Sequence, residues 1–391
     1  MTTLDPSAVR RRFPALVAQP EVVHTCAPGG TQILDTALDA MRDAAVQANA
    51  NQGGAFPASA RVGALCDRAK DRFGQLLGSE PEGIVFGPNM TTLAFHLSHA
   101  LDERLATGGQ IACTRLDHDA NVAPWLDLAE RTGATVRWID VTADGRLDLD
   151  TLADAVTPRT RLLTFPLASN ALGTVVDPAP LVAAAREAGA LTVMDAVHGA
   201  PHLPVDRRAM GVDVVFCSPY KFFGPHAGVM AADPELLASL TPDKVRPSPD
   251  TGPERWQTGT ASFEAIAGAT AAADYLLDEA TLDRIGAHEH ALAERFLTGL
   301  DERPDWTLHG PASAEGRTPT FAVTHRTVDP QRVAQVMAEH HVNVYAGHYY
   351  AVEPMRRLGL LDAGGAVRIG FVHYHGPADV DLVLAALDAV G

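Results

Sequence analysis

The chain has 391 residues, 46% hydrophobic and 20% charged, enough for a sizeable core and more than a single compact domain usually holds. Its 48 acidic against 31 basic residues give a net charge of −17, which argues against nucleic acid or an anionic membrane as partner. No uncharged apolar stretch is long enough to span a bilayer, and the four cysteines (Cys26, Cys66, Cys113, Cys217) are scattered without metal spacing, so a reducing cytoplasm and no metal are expected.

Met1 to Pro20 carries Arg10-Arg11-Arg12 but no long apolar run, so it does not read as a signal peptide. Asp5-Pro6 caps a short helix reaching about Phe13. Cys26 to Gln32 contains Gly29-Gly30, which is either a flexible turn or a loop whose bare backbone approaches a ligand. Gly83 to Gly87 reads as a strand, followed by the polar turn Pro88-Asn89-Met90-Thr91-Thr92 and an apolar helix through Leu93, Leu97 and Leu101. A helix start after a strand offers free backbone N–H groups to an anion. The chain then alternates: strand 110–114, helix 123–132, strand 135–139, helix 149–156, strand 161–167, helix 178–188 and a strand ending at Asp195. This rhythm predicts an α/β fold with a mostly parallel, doubly covered sheet.

Residues 212–217 form another apolar run, with Lys221 just beyond. The prolines at 242, 247, 249 and 253 exclude a helix or central strand, so 241–258 is expected to be a long loop. Helices 264–277 and 282–300, strand 318–324, a helix from Pro330 to His340, strands 342–345 and 366–373, and a last helix 378–390 suggest a small α+β unit. The expected division is an N-terminal arm (1–20) able to pack on the small unit, a large domain (21–261) and a small C-terminal domain (262–391).

Polar groups recur just past strand ends: His118 and Asn121, Ser169 and Asn170, Asp195 and His198, Ser218 and Lys221. Ligands of open α/β sheets sit at that edge. Asp195 and Lys221 are either an ordinary surface pair or an acid and an amine facing one crevice. The aromatic collar of Tyr220, Phe222 and Phe223 favours a lysine at least partly inside. An acid and a lysine so placed suit pyridoxal 5'-phosphate: the amine binds its aldehyde and the acid keeps the pyridine nitrogen protonated.

The ordered set Asn89-Met-Thr-Thr92, Leu116 to Trp125, Ala168 to Gly173, Asp195-Ala-Val-His198, Ser218-Pro-Tyr-Lys221, Thr258-Gly-Thr260, Gly347 to Ala351 and Ala366 to Gly370 covers nearly the whole chain. Together these pieces resemble the class V aminotransferases among the fold-type I pyridoxal-phosphate enzymes, in their cysteine desulfurase-like branch. The resemblance implies that Lys221 holds the cofactor and acts as the base at Cα, that Asp195 pairs with the pyridinium nitrogen, and that His118 lies on the ring face. His198 would stand where relatives often have Gln near the ring hydroxyl, with Asn170 nearby or on the substrate carboxylate. Met90, Thr91, Ser218, Tyr220 and, from a second subunit, Thr260 would complete the cofactor site, so a homodimer sharing its active sites is expected. Gly30, Asn170, His348, Tyr349, Tyr350 and Arg368 would meet an amino-acid substrate, Arg368 gripping its carboxylate; an arginine merely on the surface is the alternative.

One departure stands out. Relatives carry their persulfide-forming cysteine in a Gly-His-His-Cys-Ala stretch, whereas this chain reads Gly347-His348-Tyr349-Tyr350-Ala351, and no cysteine follows Cys217. The expectation is therefore a C–S lyase acting by β-elimination on cysteine or a cysteine conjugate. His118, His348, Tyr349 and Tyr350 are candidate proton donors, Tyr350 being equally readable as a pocket wall. An aminotransferase or epimerase is the alternative, and a non-catalytic cofactor-binding relative a third.

Overall fold

The computed structural model describes residues 4–105 and 108–391, so residues 1–3 of the expected arm lie outside the described residues. Its larger sheet contains β1 (Ile84–Gly87), β2 (Gln110–Thr114), β3 (Thr135–Ile139), β4 (Thr160–Pro166), β5 (Leu191–Asp195), β6 (Val214–Cys217) and β7 (Gly228–Ala232). The order across this seven-stranded sheet is β1-β7-β6-β5-β4-β2-β3. Strands β2 to β6 run parallel, and β7 is antiparallel to both β6 and β1. Successive residues face opposite cores: Leu163, Met194 and Val215 join one, Leu162, Val193 and Val214 the other. Both faces are thus covered, as buried parallel strands require.

The smaller sheet is antiparallel, built from β8 (Trp306–His309), β9 (Thr320–His325), β10 (Tyr345–Gly347) and β11 (Ala366–Gly370) in the order β10-β11-β9-β8. Its own core gathers Phe296, Phe321, Val323, Ile369 and Phe371.

Several elements differ from the sequence expectation. Strand β7 reads Gly-Val-Met-Ala-Ala, too glycine- and alanine-rich to signal a strand, yet it is fully buried between β1 and β6. Helices Asp35–Gln47 and Pro57–Leu77, together with β8, also went unread. The first helix stops at Arg10 and a second begins at Pro14, because Pro cannot continue the hydrogen-bond ladder but suits a helix start. The strand expected at 342–345 is shifted to Tyr345–Gly347. Val342 instead bridges to Val23, Asn343 N–H donating to Val23 O at 2.9 Å, which ties the N-terminal segment to the smaller unit. Helix Phe263–Asp274, where the small domain was expected to open, packs on helices Asp35–Gln47 and Pro57–Leu77 of the larger layer. The Pro-rich segment is a loop with one short turn at Pro253–Trp256.

Candidate active site

The site lies at the carboxyl edge of the large sheet, where the strand ends deliver their side chains into one inner pocket. Met90, Thr91, His118, Asn170, Asp195, His198, Ser218, Tyr220 and Lys221 all line it.

The turn after β1 is shaped by backbone geometry. Asn89 caps helix Met90–Ala100, its Oδ1 accepting from Thr92 N at 2.8 Å and from Thr92 Oγ1 at 3.0 Å. The first-turn amides, Met90 and Thr91 among them, have no intrahelical partner and suit an anion such as a phosphate. Gly228 packs so closely here that a Cβ would lie 2.2 Å from the Asn89 carbonyl carbon.

Asp195 ends β5, and its Oδ1 accepts from Val197 N at 2.7 Å. Burial pushes its carboxyl up to about 6, against the pull of that hydrogen bond and of the Lys221 amine. Lys221 closes the short turn Pro219–Lys221, and its Nζ donates to the Pro28 carbonyl. Burial and then the Arg368 charge bring its amine down to about 7, with Asp195 opposing. A buried acid and amine displaced in this way within one pocket are the arrangement expected of a functional site.

His118 caps the turn Asp119–Asn121, its Nδ1 accepting from Ala120 N at 3.0 Å. That bond leaves the proton on Nε2, and burial lowers the ring to about 3, so the imidazole is neutral. His198 is likewise buried, which holds it well below the usual range, and pairs through Nε2 with Thr318 Oγ1 at 3.0 Å. Behind it His202 Nδ1 meets Glu289 Oε2 at 2.7 Å, both buried.

Arg368 rises from β11 and is 4% exposed. Its Nη1 donates to the Asn170 carbonyl at 2.9 Å, its Cζ lies 4.6 Å from the Tyr349 ring centroid, and its Nε has no partner among the described residues. Burial lowers it to about 10, still fully charged at neutral pH. A buried guanidinium without a carboxylate is costly, and an arriving carboxylate would satisfy it. Asn170 also donates from Nδ2 to the Tyr349 carbonyl at 3.0 Å, leaving Oδ1 buried and without a partner among the described residues.

These residues open into an outer cleft of ≈ 890 Å³ that adds Tyr345, His348, Tyr349 and Tyr350. Tyr349 and Tyr350 sit at φ 52° and 57°, a left-handed pair rare for aromatic residues. Tyr350 O accepts from Asp119 N at 2.7 Å, its ring is 5.6 Å from that of His118, and its side chain is exposed. The Tyr349 hydroxyl donates to the Ala366 carbonyl, which commits that proton elsewhere.

Gly30 lines a neighbouring cleft with His226 and Ser262 instead, while Gly29 reaches the main one. Thr260 is exposed and lines neither cleft. Asn121 and Ser169 turn inward: Asn121 holds Asp117 and Trp125, and Ser169 accepts from Leu172 N. Sequence reasoning missed Phe95 and Gln331, which reach the outer cleft from helices far apart in the chain. No local signal announces such residues.

Residues 25–383 match the family Aminotransferase class-V. The chain belongs to that family. It is 32% identical to a probable cysteine desulfurase of Streptomyces coelicolor, over 99% of this chain and 97% of the relative. A probable cysteine desulfurase 2 of Mycobacterium leprae is 33% identical over 100% of this chain and 99% of its own length. A crystal structure of a cysteine desulfurase from Escherichia coli superposes with TM-score 0.88 at 25% identity, covering 99% and 98% of the two chains. The apo cysteine desulfurase of Thermococcus onnurineus NA1 shares the fold, with TM-score 0.93 at 24% identity and coverage of 100% and 99%. The family's cofactor is pyridoxal phosphate, and this class V chain has the residues to hold it: an amine and a carboxyl facing one pocket beside a helix start. No helix among the described residues is long and apolar enough to cross a membrane.

Proposed function

We propose that this class V enzyme is a C–S lyase that eliminates a thiol from the β-carbon of L-cysteine or an L-cysteine conjugate. The observation that carries the reading is Tyr350 in the Gly347 to Ala351 turn, with no cysteine after Cys217, beside the Lys221, Asp195 and Arg368 set. A phenol cannot accept sulfur as a persulfide, whereas elimination requires no thiol on the protein.

Bound pyridoxal phosphate supplies an electron sink for a negative charge on the substrate Cα. Lys221 holds the cofactor and, once released, takes the Cα proton; an amine brought down to about 7 is matched to that task near neutral pH. Asp195 would pair with the cofactor's ring nitrogen. Burial raises its proton affinity, and a cation at that nitrogen would restore the carboxylate. Arg368 fixes the substrate carboxylate through its unpartnered edge. Neutral His118, His198 and Asn170 line the same pocket, where His118 would lie against the ring and the other two near its polar substituents.

The Cβ–S bond breaks with its electron pair leaving on sulfur. The proton Lys221 took is then available to that sulfur, and hydrolysis of the remaining unsaturated amine gives pyruvate and ammonium. Tyr350, with its exposed hydroxyl, is the second candidate donor; Tyr349 is not one, because its proton is engaged by Ala366. Thr260 completes the phosphate site of a second copy in a homodimer. The test is incubation with cysteine, S-substituted cysteines and 2-oxo acids. Pyruvate and thiol in equal amounts support the lyase, and a new amino acid formed without thiol overturns it in favour of transamination.

A further inference from the structure

The outer cleft is far larger than a thiol needs. Its ≈ 890 Å³ is shared with the cofactor, whose residues Thr91, His118 and Lys221 line one end, while Tyr345 to Tyr350 line the other. It is continuous with the reacting centre, since Lys221 and Arg368 line its floor. Its walls are aromatic: Tyr345 and Tyr350 are 53% and 68% exposed, with Phe95, His118 and His348 between them.

Two features show that these rings are held rather than loosely displayed. The Tyr350 backbone occupies the left-handed region at φ 57°, anchored through its carbonyl to Asp119 N, and this aims its ring at His118 with a 32° tilt. Such backbone strain persists where surroundings over-determine it, often at ligand clamps. Tyr345 pairs in register with Arg368, and its ring lies over Gly29, where a Cβ would come within 2.5 Å of Tyr345 Cε2. Gly29 is therefore what lets that ring lie beside the carboxylate clamp.

The charges of the cleft are already assigned. Lys221 would face the cofactor and Arg368 the carboxylate, while the Asp119 carboxylate, raised by burial, is the acidic group of the lining and feels the charges of His348 and Arg356 only at a distance. What remains for a substrate side chain is aromatic wall, with Asp119 disfavouring an anionic group there.

We infer that this wall is a subsite for a bulky, uncharged aromatic group carried on the sulfur of an L-cysteine conjugate. The inference rests on the lyase reading for its chemistry but not for its binding. Elimination from S-benzyl-L-cysteine is balanced: with water it gives benzyl thiol, pyruvate and ammonium, without any external oxidant.

The test compares S-benzyl- with S-methyl-L-cysteine on the cofactor-loaded enzyme. Binding is read from the change in cofactor absorbance, turnover from pyruvate and thiol. The benzyl compound binds at least about tenfold more tightly, and Tyr345→Ala reduces that ratio by about two- to tenfold, the worth of one aromatic pair. Tyr345→Leu, which keeps bulk, is the second variant should the alanine form fail to fold, and it also lowers the ratio. Equal or weaker benzyl binding, or a ratio untouched by both variants, overturns the subsite. Preferential benzyl binding without pyruvate or thiol sinks the lyase reading alone. No spectral change with either compound overturns both.

Discussion

In the cofactor-free protein, Lys221 is a buried amine held at about 7 rather than 10.5. That displacement corresponds to ~5 kcal/mol of unfavourable free energy wherever the unfolded chain keeps its lysine protonated. The folded pKa is depressed, so the cost is fully present below about 7 and is relieved as pH rises toward 10.5. Between the two values the unfolded chain keeps a proton on this amine that the folded chain has lost, so the amine's contribution to stability increases with pH. One proton gives a slope of about 1.4 kcal/mol per pH unit, or ~3 kcal/mol between pH 7.5 and 9.5. Asp195, raised to about 6, titrates below that window, whereas the four cysteines, all raised by burial, oppose the rise, so the amine's slope is read as a difference from a variant that lacks it. Lys221→Met removes the amine and keeps the bulk. Urea unfolding of both cofactor-free proteins across this window measures the difference. The wild type is expected to be less stable than the variant at pH 7.5 and to close the gap by pH 9.5. Parallel pH dependences would refute a buried, neutralised amine.

Two further outcomes follow from the geometry. Gly228→Ala drives a methyl into the Asn89 carbonyl carbon, 2.2 Å away, and displaces the helix start; cofactor affinity, followed by absorbance titration, falls by about tenfold or more, while an unchanged affinity contradicts the cradle. Arg368→Lys keeps the charge but loses the planar fork. It raises the KM for amino acids by about ten- to a hundredfold with a smaller effect on kcat, and an unaltered KM removes Arg368 from the carboxylate site.

Much of the large sheet was legible because each parallel strand is a short apolar run followed by a polar group and a helix with its own stop. The edge where β2, β4, β5 and β6 deliver His118, Asn170, Asp195 and Lys221 could be read from that rhythm alone. Strand β7 could not, since Gly228 answers to the tight packing around Asn89 and its alanines carry little strand propensity. The shift from 342–345 to Tyr345–Gly347 was hidden for a related reason: Val342 is claimed by Val23, a partner more than three hundred residues away in the sequence. In the site, residue types were legible while orientations were not. Tyr349 reads as a possible donor until its hydroxyl is found on the Ala366 carbonyl, and the neutral state of His118 depends on burial no local pattern reveals.

The most direct test of the account is the carbon product formed from L-cysteine labelled with radioactive sulfur. The account predicts pyruvate, with all label released as sulfide and none on the protein. Alanine as product, with label retained on the polypeptide as a persulfide, would contradict it.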